Sequence, residues 1–245
     1  MAEFLKSSFW TYRRVDHPSV FEASDWQGSS SPSLVHHFHH EPQITAVLSG
    51  TRWFKIGYRI YEVKEGCFAV IPARTPHMSI GKAGKSTVSR DVFIDPAALG
   101  DDAQSLMFGR LSLVSIDEEE MIVQEILRAV HLPHVQRICN PFRPSLPDEI
   151  LDAVRTGHEA VSDLARSTHL SREGFIRKFD REMGMTPYAY RLAERVSFAR
   201  ALLRRGETPV FAAYEAGFAD QSHLGRVFRR AFGTTPARFR QAWRA

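Results

Sequence analysis

Two arginines occupy equivalent places in two copies of one pattern. The stretch RKFDREMGMTPYAY runs from Arg177 to Tyr190, and RVFRRAFGTTPARF runs from Arg226 to Phe239, an internal duplication at an offset of 49 residues. Both fit R-x-F-x-R-x-x-G-x-T-P-x-x-aromatic, with Arg177, Phe179, Arg181, Gly184, Thr186, Pro187 and Tyr190 matched by Arg226, Phe228, Arg230, Gly233, Thr235, Pro236 and Phe239. A guanidinium is planar, permanently charged and presents its donors as a fork that suits phosphate and guanine. An arginine repeated at one position of two helices therefore points to nucleic acid.

The charge is distributed to match. Residues 151–245 carry 17 Lys/Arg against 10 Asp/Glu, whereas residues 1–150 carry 15 against 18, so the net +4 arises wholly in the C-terminal part. Of those 17 cations only Lys178 is a lysine. A basic, Arg-rich tail is the electrostatic footprint of a DNA-binding module. Other classes lack their signatures: there is no nucleophile triad, no phosphate-binding loop, and the two cysteines, Cys67 and Cys139, supply neither a disulfide framework nor a zinc cluster. No apolar run reaches signal-peptide or membrane-span length. The expectation is a cytoplasmic protein with no membrane partner.

Local signals say how the arginines are positioned. Gly184 and Gly233 fall where a helix C-terminus needs a left-handed residue, and the Thr-Pro after each supplies an N-cap followed by Pro at the first helical position. Upstream of each copy lies a short helix, a tight turn and a capped second helix. In the first unit these are VSDLARS, His169 with Leu170, and Ser171; in the second they are PVFAAYEA, Gly217 with Phe218, and Asp220. That order is the helix-turn-helix plan, whose second helix enters the major groove. Between the units a helix is predicted from Pro187 to about Arg205, with Tyr188, Leu192, Val196, Ala199 and Leu203 on one face. At 1.5 Å per residue it would span roughly 28 Å, near the roughly 34 Å between successive major grooves on one side of DNA.

The N-terminal part reads differently. From about Leu34 to Ile94, β-branched and aromatic runs such as ITAVLSG, RWFKIGYRIYEV and GCFAVIPARTPH alternate with Gly and Pro, which predicts antiparallel strands and hairpins. Ser115 and Glu118 form a capping box for a helix to His131, whose Ile122, Ile126 and Val130 make an apolar seam suited to a partner helix or to the chain's own strands. The acidic run Asp117 to Glu120 is its solvated first turn. Four prolines between Pro133 and Pro147 mark a linker.

Residues 148 to 243 resemble the DNA-binding domain of the AraC/XylS transcription regulators, whose second unit follows A-x-x-x-G-F-x-D/S-x-S-x-F-x-R-x-F-x-x-x-x-G-x-T-P. Here Ala213 to Pro236 reads AYEAGFADQSHLGRVFRRAFGTTP, with Leu224 in place of an aromatic. The resemblance implies a DNA-reading set of Ser171, Arg172, Glu173, Ile176 and Arg177 in the first unit and Gln221, Ser222, Gly225 and Arg226 in the second. Arg177 and Arg226 would pair with guanine, Gln221 with adenine, and Glu173 would accept from cytosine. It also implies promoter DNA, RNA polymerase and a second copy of the chain as partners, with activator and repressor both left open as the outcome.

Residues 30 to 95 resemble, more loosely, the cupin-type barrel that often precedes this domain. Cupins that hold a metal use H-x-H-x3,4-E and a later His; His37, His39 and His77 fit, while Gln43 replaces the glutamate. The four are expected to line the pocket of a small-molecule effector, with a metal on His37, His39 and His77 as the lesser reading and no cofactor assigned. The fold expected is α+β in two domains: an antiparallel, cupin-like β-barrel with a following helix over residues 1–140, a linker at 141–147, and an all-α double helix-turn-helix domain over 148–245. The expected function is an effector-responsive, sequence-specific DNA-binding transcription regulator and not an enzyme; the alternative is a metal-dependent cupin enzyme with an accessory helical domain.

Overall fold

The computed structural model describes residues 8–111, 124–125, 127–132, 134–139, 145–157 and 159–243. The apolar and aromatic runs become strands β1 (Phe9–Arg13), β2 (Val20–Ser30), β3 (Leu34–His37), β4 (Gln43–Ser49), β5 (Thr51–Ile56), β6 (Arg59–Lys64), β7 (Cys67–Ile71), β8 (His77–Ser79), β9 (Ala83–Ile94), β10 (Ser105–Arg110) and β11 (Gln136–Cys139). One sheet has the order β1-β2-β9-β4-β7-β10-β11 and a second the order β3-β8-β5-β6, with antiparallel neighbours throughout. The antiparallel domain is as expected, but among the described residues the barrel is not closed. Pro32 and Pro42 stand at the two crossings that flank β3, where a residue without an N–H cannot extend a ladder, so the chain changes sheets there.

The larger sheet is apolar on both faces because its strands alternate with a period of two. Ile44 and Ala46 of β4 join Phe68, Val70, Val92, Ile94 and Met107 in one core. Val47, Ala69, Ile71 and Leu106 face the other way and meet Phe54, Ile56 and Val63 of the second sheet. Most of the helix expected over 115–131 lies outside the described residues; residues 124–125 and 127–129 are helical, and Ala129 and Val130 pack on the outer core of the chain's own sheet. The four-proline stretch is likewise outside them from 140 to 144. Its end is docked: Glu182 accepts from the backbone of Ser145 and Leu146, and Leu146 is buried.

The C-terminal part is helical as expected: α1 (Asp148–Thr156), α2 (Val161–Ser167), α3 (Arg172–Met183), α4 (Pro187–Arg204), α5 (Pro209–Glu215), α6 (Gln221–Phe232) and α7 (Pro236–Gln241). Two cores form, one around Leu164, Phe175, Phe179 and Met183, the other around Leu224, Phe228, Phe232 and Phe239. Helix α4 is shared, giving Tyr190 and Ala193 to the first and Val196, Ala199 and Leu203 to the second. Its buried stripe therefore drifts around the helix, and Tyr188, expected on that stripe, is instead 68% exposed. The two ends of α4 pack against different partners, so no single face serves the whole helix.

Candidate DNA interface and sensor pocket

Both recognition helices begin on side-chain caps. Ser171 Oγ accepts from Gly174 N at 3.0 Å, and Asp220 Oδ1 accepts from His223 N at 2.7 Å. Both end on left-handed glycines, Gly184 at φ 70° and Gly233 at φ 69°, after which Thr186 and Thr235 cap the following helices. Equivalent positions face the same way. Phe175 and Leu224 are buried, Ile176 and Gly225 half-buried, and Ser171, Arg172, Glu173, Arg177, Gln221, Ser222 and Arg226 exposed. Arg172 and Glu173 lie 3.6 Å apart, so this exposed pair partly neutralises itself. A groove of about 790 Å³ between α4 and α6 is lined by Tyr188, Ser222, Gly225, Arg226 and Arg230.

In the β domain the fold brings His37, His39, His77 and Gln43 to one small interior. His37 pairs with His77 across β3 and β8, and the ring centroids of the three histidines lie 4.5 to 5.3 Å apart. Burial pushes His37 and His39 well below the ordinary imidazole range and His77 down to about 4, so all three rings are neutral near pH 7. Gln43 donates to Thr45 Oγ1 at 3.1 Å, and Thr45 in turn donates to Asp91 at 2.5 Å. The cavity they enclose measures about 10 Å³, and Ala231 and Phe232 from the end of α6 close it.

Several residues at this place carry no sequence signal of their own. Arg52 is fully buried in β5, bonded to Ser89 and Ser79, 3.7 Å from Asp91 and flanked by Trp10 and Phe54. Arg200, one turn before the end of α4, is 2% exposed and bonds Glu22 of β2 and His39 Nδ1, the latter at 2.8 Å. Burial raises the Glu22 carboxyl, and Arg200 with Arg204 pulls it back. Arg204 bonds Glu41, and Glu194 takes hydrogen bonds from His40 and Arg74 at 3.1 and 2.9 Å. Ser197 Oγ donates to Phe38 O at 2.6 Å, and Tyr12 Oη donates to Phe232 O at 2.7 Å. The one available hint was an arginine at i+4 from Val196, on the half of α4 that had to be buried.

The repeated C-cap glycines serve a second purpose, since each also touches the β domain. A Cβ on Gly184 would meet Gly57 Cα at 3.3 Å, and one on Gly233 would collide with the Trp10 ring. Gly184→Ala is expected to cost about 1 to 2 kcal/mol, the strain of a left-handed residue. Gly233→Ala should cost more, because Trp10 must also leave its seat between the sheets and α6. Urea unfolding of the two variants measures the difference, and equal losses would mean that the Trp10 contact contributes nothing.

Comparison with known proteins agrees with this geometry. The model of a helix-turn-helix domain family matches residues 164–242. The chain is 34% identical over 107 residues to YbfI, an uncharacterized HTH-type transcriptional regulator of Bacillus subtilis, covering 42% of this chain and 38% of that protein. It is 36% identical over 97 residues to the HTH-type transcriptional activator RhaS of Escherichia fergusonii, covering 39% and 33%. An AraC-like transcription regulator of Streptomyces antibioticus aligns over 179 residues at 24% identity, covering 70% and 55%. The chain thus spans about half, or less, of the length of these relatives. Among solved structures, ToxT from Vibrio cholerae bound to an unsaturated fatty acid superimposes with a TM-score of 0.54 at 12% identity, over 98% of this chain and 97% of that one. At that identity the likeness shows a shared two-part fold.

Proposed function

We propose that this chain, whose residues 164–242 match a helix-turn-helix domain family and resemble the AraC/XylS type, is a sequence-specific DNA-binding transcription regulator controlled by an effector at the histidine cluster. The observation that carries this reading is the matched pair of recognition helices, capped alike, exposed alike, and presenting Arg177 and Arg226 at the same turn. The 18 residues of α4 between them, about 27 Å long, suit two successive major grooves. Ser171, Arg172, Glu173, Ile176 and Arg177, with Gln221, Ser222, Gly225 and Arg226, form the reading set. Ser171 Oγ accepts its cap bond through a lone pair and keeps its hydroxyl hydrogen for a phosphate.

Control would pass through α4 and α6. Both touch the histidine cluster directly, Arg200 by its bond to His39 and Phe232 by ring contact with His37 and His39. An occupant that favours one arrangement of these contacts shifts the population toward it. That a neighbour of this fold binds an unsaturated fatty acid supports effector responsiveness. The cupin-type enzyme is the weaker reading, because Gln43 stands where metal-dependent cupins carry a glutamate, while the duplicated helix-turn-helix pattern is intact. No helix among the described residues is long and apolar enough to cross a membrane. A cytoplasmic site of action, RNA polymerase as a partner and a homodimer belong to the same proposal and rest on the resemblance to AraC/XylS regulators.

The test is salt. A fragment from Leu146 to Ala245 should bind duplex DNA, with log affinity falling linearly against log salt by about 0.9 for each phosphate neutralised. A helical fragment that fails to bind at low salt would refute the regulator.

A further inference from the structure

Tyr188 is an aromatic that the turn around it does not require. It follows Thr186 and Pro187 at the start of α4, where Thr186 Oγ1 accepts from Ala189 N just as Thr235 Oγ1 accepts from Arg238 N at the start of α7. In that second copy of the turn Ala237 takes the place of Tyr188. The ring is nonetheless present and 68% exposed. A single exposed aromatic means little by itself, so its surroundings decide what it is for.

Tyr188 borders the groove of about 790 Å³ between α4 and α6. Leu192 and Val227, both half-buried, give the groove an apolar floor. Gly225 keeps it open, since a Cβ there would meet nothing within 4 Å. The rim is cationic. Positions 222, 226, 229 and 230 share one face of α6 by helical spacing, and three of them are exposed arginines, Arg226, Arg229 and Arg230. No carboxylate stands among the described residues that line the groove. The matching face of α3 carries Arg177 and Arg181 together with Glu173 and Asp180, the last at the place of Arg229. The first unit therefore cancels its charge on this face, and the second concentrates it.

An apolar floor beneath a cationic rim matches one chemistry. A sugar–phosphate strand presents deoxyribose carbons alternating with anionic phosphates, and most protein–DNA hydrogen bonds go to this backbone. A small anion would leave the floor unused, and an apolar ligand would leave three arginines unused. We propose that the groove between α4 and α6 holds one backbone strand of the duplex, with Tyr188 packed on a deoxyribose and Arg229 facing a phosphate. The second unit then anchors the chain on any sequence, beside the base read by Arg226. This deepens the DNA-binding role proposed above and rests on it.

The full-length chain is titrated, over a range of salt, with a duplex that it selects from random DNA and with a scrambled duplex. Tyr188→Ala installs the residue of the second copy and keeps the Thr186 cap. It is expected to weaken binding to both duplexes alike, by about fivefold or more, with the salt slope unchanged, because an apolar contact releases no counterion. Tyr188→Phe keeps the ring surface and should stay within about twofold of the natural chain. Arg229→Ala should also weaken both duplexes alike, and should lower the slope of log affinity against log salt by about 0.9. A natural chain that binds neither duplex at low salt would refute the regulator and this groove with it. Salt-dependent binding that neither Tyr188→Ala nor Arg229→Ala alters would leave the regulator standing and overturn the backbone groove, assigning it to another partner. Altered base preference in Tyr188→Ala would make Tyr188 a base contact, and a loss in Tyr188→Phe equal to that in Tyr188→Ala would replace sugar packing by a hydroxyl bond. An unchanged salt slope in Arg229→Ala would remove Arg229 from the phosphate.

Discussion

Arg200→Met is expected to destabilise the full chain by about 3 to 5 kcal/mol, the usual loss when one member of a buried ion pair is removed. Glu22 is fully buried, and its remaining contact would be Arg204 at 3.4 Å. Most of the loss is the cost of a carboxylate left in the interior, and the lost stacking of the guanidinium 4.0 Å over Phe93 adds to it. Glu22→Gln combined with Arg200→Met should therefore recover much of the stability, which a double-mutant cycle in urea measures directly. In the fragment from Leu146 onward Glu22, His39 and Phe93 are absent, and the Arg200 guanidinium keeps only its places over the Phe232 and Phe239 rings, 5.1 and 5.9 Å away. There the same substitution should cost within about 0.5 kcal/mol, like other surface changes. An equally large loss in the fragment would assign Arg200 to the helical core and remove it from the contact between the two parts.

Arg226→Ala should weaken operator binding by about 1 to 3 kcal/mol and relax preference at a single base position. Arg226 is exposed one turn after Ser222 on α6, and both line the groove beside α4. Arg230, a further turn along, also borders the space near His36 and His37, so it stands where α6 leaves DNA and approaches the β domain. Arg230→Ala should weaken binding to all sequences alike, or loosen the contact with the β domain. Arg177 and Arg181 should repeat the contrast in the first unit, with a smaller reading effect because Ile176 beside Arg177 offers no hydrogen bond. Competition against operators altered base by base, at constant salt, separates these outcomes. A uniform loss for Arg226→Ala with base preference intact would make Arg226 a phosphate contact.

The sequence by itself determined the helical part almost residue by residue. Caps at Ser171, Thr186, Asp220 and Thr235 and left-handed glycines at 184 and 233 act over three or four residues, so the chain states them locally, and the duplication states them twice. The histidine set was legible through its resemblance to the cupin pattern, and the pairing of β3 with β8 is what sets His37 opposite His77. Tertiary structure decided the rest. Closure of the barrel depended on where whole sheets end. The exposure of Tyr188 depended on which helices α4 meets at each end. Above all, Arg200 with Glu22 and Arg204 with Glu41 join residues 178 and 163 positions apart. A buried charge of this kind has no local pattern, since an arginine in a helix and a glutamate in a strand look like solvated surface until the packing of the two parts removes the water and leaves each as the other's partner.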